Sequence, residues 1–505
     1  MECALGIDIG TSACKVAAFG RDGTVIASAA EEYGTFYPKP GWAEQNPKDW
    51  WAASCKAISK VLGQPGVSAK EVAGVGIAGQ SWASVAIGKD GDAIGNTPIW
   101  MDTRAGDICA ELAEKVGEKR IFETSGNPLQ PSYTTAKVVW QDRNSSEKAV
   151  RVLQSNSYVA YKLTGSMTQD VSQGYGIHCF DMRKRSWDFG LCLDLGIRPE
   201  VLPDIHPCHE VIGTVSSQGA LSGLLAGTPV VAGGLDAACA TLGVGAIHAG
   251  EAQEQGGQAG GMSICMDQYI ADPRLILGCH VVPNLWLLQG GTTGGGGVMR
   301  WLERELGAFE REEGIRLGKS SLEILDELAS AINPGSDGVL FLPYMAGERS
   351  PIWSPNAKGV FYGLDYSKSK GHMVRAALEG VAFSLRHNME VAALAGAHAD
   401  VLRSMGGAAN SRLWTQMKSD ITQKPITVSH SDHATTLGAA ILAGVGVGMF
   451  ASFDEAVGLA VKTRRTHEPN AGVKGKYDEA FARYLGLYES LKGFMESQRA
   501  QIKTR

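Results

Sequence analysis

The stretch from Thr228 to Gly245, TPVVAGGLDAACATLGVG, constrains the fold more than any other part of the chain. Pro229 to Ala232 is a short apolar, β-branched run bounded by glycines, the pattern of a strand covered on both faces in an α/β sheet. Gly233 and Gly234 form a turn, and a helix is predicted to begin near Asp236. A glycine pair lets backbone N–H groups approach a ligand, and the helix N-terminus beyond it favours negative charge. At that position Asp236 reads in two ways. It is a favoured N-cap residue, or it is a carboxylate placed to accept a proton from a substrate hydroxyl. The stretch by itself leaves both open.

A related unit opens the chain. Residues 4–30 read as three antiparallel strands, ALGIDIG, CKVAAFG and TVIASAA, with Arg21-Asp22-Gly23 as a hairpin turn. Between the first two lies Asp8-Ile9-Gly10-Thr11-Ser12. Its turn offers N–H groups and hydroxyls to phosphate oxygens, and Asp8 at the strand end suits a hydrated cation. An ordinary polar hairpin tip is the simpler alternative. Glu254 to Gly261, before the strand-like MSIC, is a partial echo of this hairpin, as a tandem duplication would leave.

At 505 residues the chain is too long for one core, and two domains are predicted, 1–247 and 248–505. A net charge of −6, with basic residues scattered apart from Arg183-Lys184-Arg185, gives nucleic acid and anionic membrane no patch to bind. The ten cysteines include no C-x-x-C pair, so neither a zinc site nor a redox motif is signalled. They read as small core residues in a reducing compartment. With no signal-peptide pattern in MECALGIDIG and no apolar run long enough to span a bilayer, a cytoplasmic location is expected.

The remaining chemistry sits at strand ends. Gln80, Ser81 and Trp82 follow a strand read from 71–79, and Asp102 and Arg104 follow another at Pro98 to Met101. Strand termini are where an open α/β sheet presents ligand groups. An amide, a carboxylate and a guanidinium can each bond hydroxyls, while an indole face covers the C–H side of a sugar. A polyol pocket is therefore expected there. The G-x-G-x-x-G match at 74–79 lies inside the strand rather than at its exit into a helix, so it is no dinucleotide fingerprint. Residues 105–225 read as helices and loops, with Asp170, Ser172 and Gly174 on a solvated loop. The glycine-rich loop 289–297 leads into a helix and reads as nucleotide-facing, and a helix with a buried stripe of Val374, Leu378, Val381, Leu385 and Met389 starts near Gly371. Gly406-Gly407-Ala408 would let a flat base lie against backbone, with Asn410 at the next helix start. Residues 434–448 form a small-residue helix, and an amphipathic helix is expected from about 474.

These motifs together resemble the FGGY family of carbohydrate kinases, within the sugar kinase, actin and heat-shock ATPase superfamily. The strongest match is Gly359 to Glu379, GVFYGLDYSKSKGHMVRAALE, the family's C-terminal signature. Its other signature falls on Ser132 to Asn144, where polar Gln141 stands in place of the usual apolar residue. GWAEQNPKDWW and PYMAGERSPIW most resemble the xylulokinase branch, but Ser81-Trp82 replaces the Met-His usual there. The resemblance implies two ribonuclease H-like domains around an active-site cleft and ATP-dependent phosphorylation of a sugar or polyol. A ketopentose such as D-xylulose is expected first; gluconate, erythritol, L-xylulose and ribulose are alternatives. It implies Asp236 as catalytic base, and Asp8 with Asp236 near Mg²⁺, through water. It places Thr11, Ser12, Lys15, Gly234, Gly260, Gly296, Gly406, Gly407 and Asn410 on the ATP side, and Gln80, Ser81, Trp82, Asp102 and Arg104 on the sugar side. It further implies domain closure and a homodimer. P-loop and protein-kinase motifs are absent. A non-enzymatic actin-like ATPase would not account for the C-terminal signature; an inactive paralogue acting as a sugar sensor is an alternative, against which both Asp8 and Asp236 are present.

Overall fold

The computed structural model describes residues 2–502. Two mixed sheets organise the chain. The first contains β1 (Cys3–Ile9), β2 (Ala13–Phe19), β3 (Val25–Glu32), β4 (Val72–Gly79), β5 (Val211–Thr214) and β6 (Pro229–Val231), in the order β5-β6-β4-β1-β2-β3. The second contains β7 (Glu251–Gly256), β8 (Gly260–Met266), β9 (Ile276–Cys279), β10 (Trp286–Thr292), β11 (Val401–Met405), β12 (Ile426–Ser429) and β13 (Thr463–His467), in the order β9-β10-β8-β7-β11-β12-β13.

The path β3-β2-β1-β4-β6-β5 repeats as β10-β8-β7-β11-β12-β13. In both, the opening hairpin is antiparallel, the next two pairings are parallel and the last strand is antiparallel. The weak echo in the sequence thus extends over six strands of each sheet.

The helices used below are α1 (Pro47–Leu62), α2 (Thr134–Asn144), α3 (Asp236–Gly243), α4 (Gly296–Leu306), α5 (Ser321–Ser330), α6 (Lys370–Leu394), α7 (Arg412–Thr422), α8 (Ala434–Gly446) and α9 (Lys474–Ile502). α1 starts where Asn46 caps it, accepting from the Lys48 N–H, with Pro47 at its first position. The apolar stripe predicted on α6 is buried at all five positions. α9 buries Tyr477, Tyr484 and Tyr488, and the Tyr484 hydroxyl pairs with that of Tyr344 at 2.7 Å. All ten cysteines are free, and nine are buried. Among the described residues no helix is long and apolar enough to cross a membrane.

Residues 105–225 differ from the expected helices and loops. Short strand pairs run through them, Phe180–Asp181 with Ser186–Trp187 and Thr168–Asp170 with Asp204–His206, and β5 joins the first sheet from within this region. Pairs of two or three residues are too short to show a period of two.

α8 comes from the second half of the sequence yet packs on β1 and β4 of the first sheet and against α3. The contact is backbone on backbone. A Cβ on Gly6 would lie 1.9 Å from the Thr436 carbonyl oxygen, and one on Gly76 1.9 Å from that of Ala439. Between the helices, a Cβ on Gly438 would meet the Cys239 oxygen at 1.8 Å, and one on Gly243 the Ala434 oxygen at 1.8 Å. Rigid backbone offers no side chain that could swing away. Gly438→Ala should therefore lower the thermal midpoint markedly, at a cost of at least about 3 kcal/mol, the upper end for overpacking. Gly486→Ala on α9, where an added Cβ meets nothing within 4 Å, should stabilise the protein by about 0.5–1 kcal/mol and raise the midpoint. Equal midpoints for the two variants would show that the α3–α8 contact yields.

Candidate active site

Asp8 lies near the C-terminal end of β1, opposite Lys15 of β2 in the hairpin register. It is 7% exposed, and its Oδ1 has no hydrogen-bond partner. Burial pushes its carboxyl up to about 6, against the pull of Lys15. Asp236 opens α3 one position inside the N-cap, which is Leu235, and its Oδ1 accepts from the Ala237 N–H at 2.6 Å. Its carboxyl is raised to about 7, first by burial and then by the Asp8 charge, with the Ala237 N–H and Lys15 opposing. The two carboxylates and the lysine are one electrostatic cluster. Of the two sequence readings of Asp236, simple N-capping does not describe its place.

What holds Asp236 there lies outside its own stretch. Gly233 has φ 77°, and a Cβ on it would sit 2.0 Å from the Ile77 carbonyl oxygen of β4. Gly234 pairs with Ala78, and its own Cβ would meet Val281 Cγ1 at 2.6 Å. Close packing therefore accounts for this glycine. The Leu235 N–H donates to Ser172 Oγ at 2.9 Å, and Ser172 donates to Asp170 Oδ1 at 2.5 Å. Asp170 is fully buried and also accepts from Asn156 Nδ2 at 2.8 Å and the Gln173 N–H at 2.9 Å. The solvated loop expected at 170–174 is thus a buried bracket beneath the Asp236 turn. The D-x-S spacing was the local signal available; the Asn156 and Leu235 partners had none.

In the first turn, acceptors are tied back and donors left free. The Gly10 oxygen accepts from the Tyr33 hydroxyl at 2.5 Å, the Thr11 oxygen from Gln45 Nε2 at 2.5 Å, and Thr11 Oγ1 from Trp100 Nε1 at 3.0 Å. The Thr11 and Ser12 N–H groups make no hydrogen bond among the described residues. Free N–H groups on a turn beside a lysine suit an anion.

The residues expected to face a polyol follow β4. Gln80 is buried, donates to Gln45 Oε1 at 2.7 Å and leaves its own Oε1 unpaired. Trp82, at φ 59°, stacks on Tyr133 with centroids 4.1 Å apart and meets the edge of Tyr175 at 6.0 Å. The Tyr175 hydroxyl lies by the Trp82 and Ser81 side chains and feels the Asp236 charge, which joins this wall to the carboxylate cluster. The Trp82 oxygen accepts from Lys137 Nζ at 3.0 Å, and Lys137 also holds the Ile99 oxygen at 2.7 Å. Burial lowers this lysine to about 7. Tyr133, Tyr175 and Lys137 all escaped the sequence reading.

Asp102 and Arg104 require a correction. Asp102 is fully buried, accepts from the Ala43 N–H at 2.7 Å and holds Arg104 Nε and Nη2 at 3.0 and 2.7 Å. Arg104 also pairs with Glu44 and lies 3.6 Å from the Trp42 ring centroid. Both are engaged in bracing the loop at 42–44. Polar Gln141 is likewise explained: its amide both donates to the Ser84 carbonyl at 2.9 Å and accepts from the Ser84 hydroxyl at 2.5 Å.

In the second sheet's half, a cavity of about 830 Å³ opens between α4, α5 and α7, lined by Gly257, Gly296, Gly407, Asn410 and Trp414 among others. Gly406 has φ 86°, and its Cβ would meet the Gly256 oxygen at 3.1 Å; a Cβ on Gly407 would meet nothing within 4 Å. The Asn410 Oδ1 accepts from Arg464 at 3.0 Å. Gly260 lies behind this cavity, packed on Thr292 at 2.8 Å from its would-be Cβ.

Comparison with known proteins bears on the whole chain. The N-terminal domain of the FGGY family of carbohydrate kinases matches residues 3–243, and the family's C-terminal domain matches residues 274–447. The chain is 30% identical to a xylulose kinase of Staphylococcus epidermidis over 499 residues, covering 97% of each protein. It is 29% identical to a gluconokinase of Bacillus subtilis, with 99% of this chain and 97% of that protein covered. The crystal structure of xylulose kinase from Rhodospirillum rubrum superposes with a TM-score of 0.89 at 28% identity, over 98% of this chain and all of that one. The duplicated sheets and these full-length likenesses agree, and the chain belongs to the FGGY family of carbohydrate kinases.

Proposed function

We propose that this ATP-dependent sugar kinase transfers the γ-phosphoryl group to a hydroxyl of a ketopentose, with D-xylulose first and gluconate second. The single observation that carries the catalytic part is Asp236, a cleft carboxylate raised to about 7. It stands beside the Trp82–Tyr175 wall and the anion-friendly Thr11–Ser12 turn. A general base works best with a pKa near the working pH. Phosphoryl transfer otherwise needs positioning and charge stabilisation, which glycine turns and a lysine supply. Gln80, Ser81 and Trp82 bind the acceptor; Thr11, Ser12 and Lys15 face the phosphates, which the loops at Gly260 and Gly296 also approach; Gly406, Gly407 and Asn410 take the adenosine. The two working units are 1–247 and 248–505, with α8 crossing from the second onto the first.

A Mg²⁺ ion fits the residues present. Asp8 has a buried oxygen without a partner, next to a second carboxylate. Asp8 and Asp236 would hold it through water, and it would supply charge neutralisation at the phosphates. No cluster of three or more ligating side chains occurs among the described residues, which accords with an ion held jointly with a nucleotide. Gluconate remains the second reading because the gluconokinase likeness equals the xylulose kinase one in extent, and Ser81-Trp82 reshapes the wall.

ADP release from MgATP across ketopentoses, aldonates, tetritols and hexuloses tests the acceptor. Asp236→Asn should cut turnover by about 10²–10⁴-fold with the thermal midpoint unchanged; wild-type turnover in that variant would remove Asp236 from the role. Because the base must be deprotonated, kcat/KM should be flat above about pH 7 and fall roughly tenfold per unit below it; a flat profile down to pH 5 would exclude Asp236 as the titrating group. Gly407→Val should weaken ADP binding at least about tenfold, roughly the 1.4 kcal/mol of a crowded contact, without loss of folded protein. Unchanged ADP affinity by calorimetry would move the nucleotide out of the cavity.

A further inference from the structure

The PYMAGERSPIW segment has no part in the site described so far. Its Glu348 and Ser350 fasten it to the end of β10. Glu348 accepts from Thr292 Oγ1 at 2.6 Å and the Thr293 N–H at 2.9 Å, and the Gly291 N–H donates to Ser350 Oγ at 2.6 Å. Between them, the Arg349 guanidinium lies against Gly291, where an added Cβ would be 3.1 Å from Cζ. It faces the Trp100 ring at 5.9 Å, across from the first sheet's half, and Trp100 is the residue whose Nε1 holds Thr11 of the first turn.

Arg349 is half-buried; the charge of neighbouring Glu348 acts on it, but among the described residues its guanidinium makes no hydrogen bond or ion pair within contact distance. A ring contact at the outer limit of cation–π range leaves its N–H donors unfilled. A partly desolvated cation without an acceptor is costly unless a ligand supplies the anion. Arg104, by contrast, is paired with Asp102 and Glu44. The fork of a guanidinium matches phosphate oxygens in pairs.

We propose that Arg349 is a catalytic residue that donates to the non-bridging oxygens of the phosphoryl group in transfer. The proposal rests on the kinase reading with Asp236 as base. In that step the acceptor oxygen forms its bond to the γ-phosphorus while the bond from that phosphorus to the leaving oxygen of ADP breaks. The hydroxyl proton passes to Asp236, the electron pair leaves with ADP, and the charge on the transferring group meets Arg349 on one side and the Thr11–Ser12 turn on the other. Glu348 and Ser350 fix the arginine's backbone and so position it.

The test compares wild type with Arg349→Ala, Arg349→Met and Arg349→Lys, using MgATP and whichever of D-xylulose or D-gluconate the wild type phosphorylates. The expected result is a kcat lower by about 10²–10³-fold, the usual loss of one donor to a developing charge, in Ala and Met. The acceptor KM and the ADP Kd should stay within about threefold, with partial activity in Lys and partial rescue of Ala by added guanidinium ion. A kcat within threefold of wild type overturns the proposal. So does a loss confined to the KM for gluconate, which would make Arg349 a ligand of the acceptor's carboxylate, and so does failure of both Ala and Met to fold, which would make it a structural cation. Silence of the wild type on both sugars would sink the acceptor reading instead; the same loss is then expected in the slow hydrolysis of MgATP.

Discussion

The close crossing of α3 and α8 is the constraint on which the rest depends. Four glycines, Gly6, Gly76, Gly243 and Gly438, let two helices and two strands meet at backbone distance, where any side chain would overlap a carbonyl oxygen. α3 begins with Asp236 and α8 comes from the far half of the chain. The carboxylate cluster therefore sits at the join of the two halves. A joint built from backbone is stiff in translation, which suits a site that works through positioning.

Electrostatics couples Asp8, Asp236 and Lys15. Burial raises both Asp8 and Asp236, but Asp236 goes higher because it also carries the repulsion of Asp8. Lys15 steadies both, and the turn beside it leaves N–H groups pointing to whatever anion enters. Against that, the wall of Trp82, Tyr133 and Tyr175 is aromatic, with its backbone pinned from behind by Lys137.

The support behind the wall is as specific as the wall itself. Arg104 looks like a ligand residue in the sequence, yet it is clasped by Asp102 and Glu44 and laid on Trp42. Asp170 looks like loop polarity, yet it closes a buried set of hydrogen bonds ending on the Leu235 N–H. Buried charges of this kind stay ionised or neutral according to their partners, and removing one partner leaves the other stranded at a cost of several kcal/mol, roughly 3–5.

The sequence by itself determined what depends on neighbours along the chain. The antiparallel hairpin at 4–30, the strand-turn-helix at 228–245, the start of α1 at Pro47 and the buried stripe of α6 are set by alternation, turn residues, caps and helical spacing, all local quantities. So were Asp8 and Asp236 as the carboxylates worth watching, because each ends a strand or opens a helix beside glycine. Only the tertiary structure decided which polar groups face a ligand and which are consumed. Asp102 and Arg104 left the pocket because Ala43, Glu44 and Trp42 fold over them. Asp170, Lys137 and Tyr175 entered the story because their partners lie tens of residues away, at Leu235, Ile99 and Asp236. The reason is physical: period and propensity act over a few residues, whereas burial and charge are properties of the space that the folded chain encloses.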